Sequence, residues 1–232
     1  MLKAIVTGAT HGMGKAIAEK LLSGGFSVAV CARNKATLEA LQNEWKEKYP
    51  GAVIIAQSID LSVQSEAEAF ADAVLSAFGE VDVLVNNAGM FAAGSITKSP
   101  GENLEKMMAL NLYAAYHLIR KIAPSMKARQ KGHIFNTCSI AAIEPHPGSG
   151  IYSITKYAML GLTENLRAEL KPYGVKVTAI CPGSTNTSSW DGEDFDNSKL
   201  MQASDITEML WSSLSLSPQA NVDRIVMRPV KD

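Results

Sequence analysis

Short runs of apolar, largely β-branched residues alternate along the chain with segments whose apolar residues recur at helical spacing. Successive βαβ units leave that pattern, because parallel strands covered by helices on both sides have no polar face of their own. The runs fall at 2–7, 27–32, 52–57, 82–86, 132–138, 174–181 and 222–228, and they predict a seven-stranded, mostly parallel sheet. Between them, Ile17, Leu21 and Leu22, then Leu38, Leu41 and Trp45, then Ile154, Ala158, Leu162, Leu166 and Leu170 each mark an apolar helix stripe. Gly24-Gly25, Pro50-Gly51, Gly79 and Pro172 with Gly174 stand where helices should end.

With 232 residues and no repeat, linker or low-complexity tract, the chain fits one α/β domain over 1–232. Only 184 to about 203 breaks the rhythm. There Ser, Thr and Asn, with Asp191, Glu193, Asp194 and Asp196, surround Trp190 and Phe195, which reads as a substrate lid or a disordered loop. Ser204, with Asp205 and Glu208, reads as the cap and first turn of a last helix. The net charge is -1 and the 22 basic residues are scattered, so no nucleic acid is expected as partner. No run approaches the ~18 apolar residues of a membrane span. Met1 to Val6 enters a strand pattern without an export signal, and Cys31, Cys138 and Cys181, odd in number and far apart, read as reduced, buried thiols of a cytoplasmic protein.

The first strand opens into Thr7-Gly8-Ala9-Thr10-His11-Gly12-Met13-Gly14 and then a helix. Small residues in that position let backbone amides approach a pyrophosphate lying on the helix N-terminus. An acidic residue ending the second strand would hold the adenosine ribose; Cys31-Ala32-Arg33-Asn34 stands there instead. Arg33 and His11 therefore favour NADP(H) over NAD(H), with a solvated helix start as the other reading of Arg33. Later strand ends bring Asp60-Leu61 and Asn87-Ala88-Gly89 to the same sheet edge, and Asp60 either accepts from adenine or caps a turn. Tyr152 and Lys156, four residues apart, share a helix face, so the ammonium makes the phenolate easier to form and equips the tyrosine for acid/base work.

Taken jointly, the glycine turn, Asn86-Asn87-Ala88-Gly89, Asn111, Ser139, Tyr152-x-x-x-Lys156 and Pro182-Gly183 resemble the short-chain dehydrogenases/reductases. The likeness is to their NADP-preferring group, which includes β-ketoacyl carrier-protein reductases. It implies a Rossmann-type, doubly wound domain with helices on both faces, and redox chemistry at CH-OH and C=O groups of a small molecule. By it, Tyr152 is the proton donor, Ser139 bonds the carbonyl oxygen, Lys156 binds the nicotinamide ribose and Asn111 completes a proton relay through water. Pro182-Gly183 would flank the nicotinamide and Thr187 would meet its carboxamide, with Thr185 the competing choice.

The resemblance also implies a homodimer or homotetramer built on the fifth and sixth helices and the last strand. Lys127, Arg129 and Lys131 either dock an acidic carrier protein or compensate a helix end. Substrate choice is expected from Met90–Ile96, Ile140–Ile151 and the lid, with His146 near the pocket. His117, His133 and His146 show no ligand spacing, so no catalytic metal is expected. The competing class of function, a catalytically silent NADP-binding sensor, has no need of Ser139, Tyr152 and Lys156 together.

Overall fold

The computed structural model describes residues 1–146, 148–187 and 196–230. Seven strands form one sheet: β1 (Lys3–Thr7), β2 (Ser27–Ala32), β3 (Ile54–Ser58), β4 (Val83–Asn86), β5 (His133–Thr137), β6 (Lys176–Pro182) and β7 (Arg224–Met227). Their order is β3-β2-β1-β4-β5-β6-β7, and every pair is parallel. The chain steps outward from β1 through β3, then crosses back to β4 on the other side of β1. Adjacent strands whose connections leave in opposite directions open a crevice at their carboxyl ends, where ligands of such sheets bind.

Alternate residues of the strands feed two separate cores. Ala4 and Val6 of β1 pack with α1 (Gly12–Ser23), α2 (Lys35–Lys48) and α7 (Ala203–Leu214), whereas Ile5 packs with α3 (Gln64–Phe78), α5 (Ala114–Arg129) and α6 (Gly150–Leu170). The doubly wound architecture expected from the sequence is thus present, with strand limits displaced by no more than two residues. Leu38, Leu41 and Trp45 are the buried stripe of α2, and the fully buried indole donates its N–H to Glu19 at 3.2 Å, so no polar atom of that ring is stranded. A short α4 (Glu102–Met108) runs through a π-helical turn, Ala109–Tyr113, into α5.

The last helix corrects the sequence reading. Gln202, not Ser204, is the N-cap of α7, and its backbone N–H donates to the Asp205 carboxylate at 2.8 Å in a reciprocal capping box. The basic end of α5 is also tied up: Lys127 pairs with Glu169, Arg129 with Glu80 and Asp82, and Lys131 with Asp82. These cations close onto the chain's own acids, which favours the helix-end reading over a docking patch. All three cysteines are buried and free, and burial pushes the Cys31 thiol far above its ordinary range. Among the described residues no helix is long and apolar enough to cross a membrane, and no cluster of side chains forms a metal site.

His133, at the start of β5, is buried, stacks on Phe135 with ring centroids 3.9 Å apart, and meets Thr178 Oγ1 at 2.8 Å. Thr178 gives its own proton to the Val222 carbonyl, so the imidazole donates through Nε2. Burial, with Lys176 nearby, lowers the His133 pKa from 6.5 to about 3. The unfolded chain therefore binds the proton that the folded chain refuses, and this contribution to stability is full above pH 6.5 and lost as pH falls towards 3. Urea denaturation between pH 6.5 and 5 is expected to show stability falling with a slope that approaches about 1.4 kcal/mol per pH unit, and His133→Gln is expected to flatten it. An equal slope in the variant contradicts the assignment.

Candidate active site

The turn after β1 is shaped by close approach. Gly8 has φ 66° and a Cβ there would lie 3.0 Å from Ala88 Cα, while Gly12 has φ 54° and faces Thr187. Gly14 sits under the turn, where a Cβ would fall inside contact distance of the Gly8 carbonyl oxygen and the Asn87 amide. Asn87 in turn donates to the Thr7 carbonyl at 3.1 Å, and Thr7 Oγ1 accepts from the backbone N–H groups of Asn87 and Ala88, both at 2.9 Å. The ends of β1 and β4 are thereby locked into one edge of a cleft of roughly 440 Å³. Gly8, Thr10, His11, Gly12, Met13, Arg33, Asn34, Asp60, Leu61, Asn87, Ala88, Gly89 and Thr187 all line it.

A second cavity of roughly 420 Å³ continues from the first, sharing Met13, Asn87, Gly89 and Thr187 with it. Ser139, Tyr152, Lys156, Pro182, Gly183 and Thr185 are in its wall. Ser139 follows β5 and caps a single 3-10 turn, Ile140–Ala142, accepting from Ala141 N–H at 3.1 Å. That bond uses a lone pair and leaves the hydroxyl proton available to a ligand. Lys156 is 4% exposed and donates to the Thr137 carbonyl at 2.8 Å, with its Nζ 5.6 Å from the centre of the Tyr152 ring. The positive charge therefore lies beside the phenol, on the helix face that the four-residue spacing predicts.

Several of the expected site residues also make structural contacts. Asn111 lies in the π-helical turn, fully buried behind the wall, and its amide clamps Met90: Met90 N–H donates to Oδ1 at 2.8 Å and Nδ2 donates to Met90 O at 3.0 Å. Its remaining amide proton goes to Thr155 Oγ1 at 3.0 Å. Gly14 supports the turn without lining either cavity. Asp60 accepts from Ser62 N–H and Ser62 O–H, which hold its carboxyl below the usual range with help from Arg33. Asn34 caps α2 by accepting from Thr37 N–H at 3.0 Å. Arg33 is exposed at the cleft edge, with no salt bridge among the described residues.

Sequence reasoning did not single out Thr37, Leu110, Thr137 or Thr155. Thr137 contributes only a carbonyl, which no side-chain pattern reveals. Thr155 betrays itself only as the hydroxyl between Tyr152 and Lys156; it donates to the Tyr152 carbonyl at 2.8 Å. Of the expected lid, 188–195 lie outside the described residues. Its two ends are pinned together, because Asn186 N–H donates to Met201 O at 2.7 Å and Met201 N–H to Ser184 O at 3.1 Å.

A family model described as short chain dehydrogenase matches residues 3–197. An uncharacterized oxidoreductase of Staphylococcus epidermidis is 33% identical over 227 residues, covering 98% of this chain and 96% of the relative. A diacetyl reductase [(S)-acetoin forming] of the same species is 36% identical over 217 residues, covering 92% of this chain and 84% of the relative. Among solved structures, an alcohol dehydrogenase from the archaeon Thermococcus sibiricus, complexed with 5-hydroxy-NADP, superposes with TM-score 0.93 at 27% identity, covering 100% of this chain and 98% of the other.

Gly14→Ala is expected to destabilise the protein by about 1–3 kcal/mol, because the added methyl overpacks the junction of β1 and β4. Urea denaturation measures the effect, and an unchanged midpoint would contradict the packing described.

Proposed function

The chain belongs to the short-chain dehydrogenases, and from that premise we propose that it is an NADP(H)-dependent oxidoreductase. It reduces a carbonyl to an alcohol, or runs the reverse, at Ser139, Tyr152 and Lys156. The observation that carries this reading is the continuity of the two cavities, which puts those three groups at one end of a glycine-walled cleft. The residues suit a dinucleotide: Gly8 and Gly12 leave backbone bare where a Cβ would crowd it, and the buried Asn87 Oδ1 has no partner among the described residues where the two cavities meet. NADPH, when bound, supplies the hydride.

The chain's own groups do the rest. The Ser139 hydroxyl donates to the substrate carbonyl and polarises it, as a preorganised donor of the oxyanion type. Tyr152 delivers its phenolic proton to the same oxygen, and the neighbouring Lys156 ammonium stabilises the phenolate left behind. Asn111 completes a proton relay through water, as the family resemblance implies. Arg33 and His11, at the far end of the cleft, favour the 2′-phosphate of NADP(H), which agrees with the nucleotide in the archaeal relative. The segment 184–203 acts as a lid over the substrate, and its described ends are held together where Ser184 and Asn186 meet Met201. Tyr113, Tyr116, Ile154 and Tyr157 are exposed on and around α5 and α6, and they support pairing of two copies into a homodimer or homotetramer through those helices.

Tyr152→Phe is expected to keep NADPH affinity while kcat for ketone reduction drops by orders of magnitude; turnover within about tenfold of the parent rejects the assignment. Arg33→Ala is expected to raise KM for NADPH at least about tenfold and to leave KM for NADH nearly unchanged. Equal effects on the two nucleotides, read from absorbance at 340 nm, would remove Arg33 from the 2′-phosphate.

A further inference from the structure

We propose that Phe91 determines the substrate class of this site: an uncharged carbonyl compound that carries an apolar or aromatic substituent next to the reacting carbon. The proposal rests on the oxidoreductase reading above and concerns what fills the cavity beside Tyr152. Phe91 stands edge-on to the Tyr152 ring, with centroids 5.1 Å apart and planes at 78°. Yet it is 47% exposed, and its neighbour Met90 is 39% exposed, so two large apolar side chains are left open in the wall of the cavity. Apolar surface held open in a concave wall next to reactive groups is surface offered to a ligand.

The position of Phe91 is fixed by a closed circuit of contacts. Thr155 Oγ1 donates to the Tyr152 carbonyl, Asn111 Nδ2 donates to Thr155 Oγ1, and the Asn111 amide grips both backbone groups of Met90. Phe91 is the next residue, and its ring returns to Tyr152. The phenyl ring therefore stands directly beside the acid that protonates the substrate. The charge of the wall points the same way. Among the described lining residues there is no Asp, Glu or Arg; the ionisable cations are Lys156, held by the Thr137 carbonyl, and His146. A carboxylate beside the reacting carbonyl would meet no guanidinium, whereas a phenyl or alkyl group would cover Phe91, Met90 and Ile140. Burying a group of that size is worth a preference of about 10- to 200-fold.

Three probes of graded chemistry test this with NADPH: 2,3-butanedione, pyruvate, which replaces one methyl of the dione by a carboxylate oxygen, and 1-phenyl-1,2-propanedione. The wild-type protein is expected to reduce 2,3-butanedione with kcat/KM at least about a hundredfold above pyruvate. Phe91→Ala is expected to lower kcat/KM for the phenyl dione at least about tenfold, chiefly through KM, and that for 2,3-butanedione less than about threefold. Phe91→Leu, which keeps an apolar wall, is expected to recover part of the loss, and unchanged NADPH affinity confirms that each variant is folded. Pyruvate turnover within about threefold of 2,3-butanedione, or an equal loss on both diones in Phe91→Ala, overturns the proposal and leaves the oxidoreductase reading standing. If the wild type binds NADPH and turns over none of the three, the oxidoreductase reading falls and this proposal with it.

Discussion

A buried ammonium organises this molecule. Lys156 is almost inaccessible to water, and among the described residues no carboxylate neutralises it; the Thr137 carbonyl at 2.8 Å is its hydrogen-bond acceptor. A cation so placed costs several kcal/mol relative to water unless its surroundings compensate. The surroundings are arranged accordingly. Thr137 ends β5, so its carbonyl projects from the sheet edge, and α6 is laid so that the lysine reaches it. Gly89 has no side chain, and a Cβ there would stand 3.2 Å from Asn111 Oδ1 and 3.7 Å from Lys156 Nζ. Helix, strand end and glycine together enclose this charge beside the Tyr152 ring.

The parallel sheet is what lets distant segments converge on that charge. Each strand delivers its carboxyl end to the same edge: β1 the glycine turn, β4 Asn87 and Gly89, β5 Thr137 and Ser139, β6 Pro182 and Gly183. Positions separated by more than a hundred residues in sequence become walls of one groove. The register is maintained by strands buried on both faces, so the precision of the site derives from the two cores. Thr7 extends that precision outward, since its hydroxyl accepts from two backbone N–H groups of the turn after β4 and ties the ends of β1 and β4 together.

The strands were legible because burial on both faces leaves an unbroken apolar run, and many residues lining the two cavities were legible because they occupy strand ends and one helix face. Terminal positions were less so. Ser204 looks like a cap, yet Gln202 holds the place because Asp205 reaches back to its N–H, a reciprocity that depends on where the chain enters from Met201. Asp60 and Asn34 have side chains that serve either a ligand or their own turn, and sequence alone does not choose; here both bond neighbours in their turns. From its π-helical turn, the buried Asn111 side chain bonds Met90 and Thr155, partners that no sequence pattern names. The Thr137 carbonyl was beyond reach, since any residue would supply the same atom.

We propose that the buried charge of Lys156 serves chemistry more than folding. Lys156→Met keeps the length of the side chain and removes the charge. The measurement that tests it most directly is the turnover of NADPH with a ketone that the wild-type protein reduces, in Lys156→Met protein that urea denaturation shows to be folded. A fall of at least about a hundredfold is expected; turnover within about tenfold of the wild type would contradict the central role given to this ammonium.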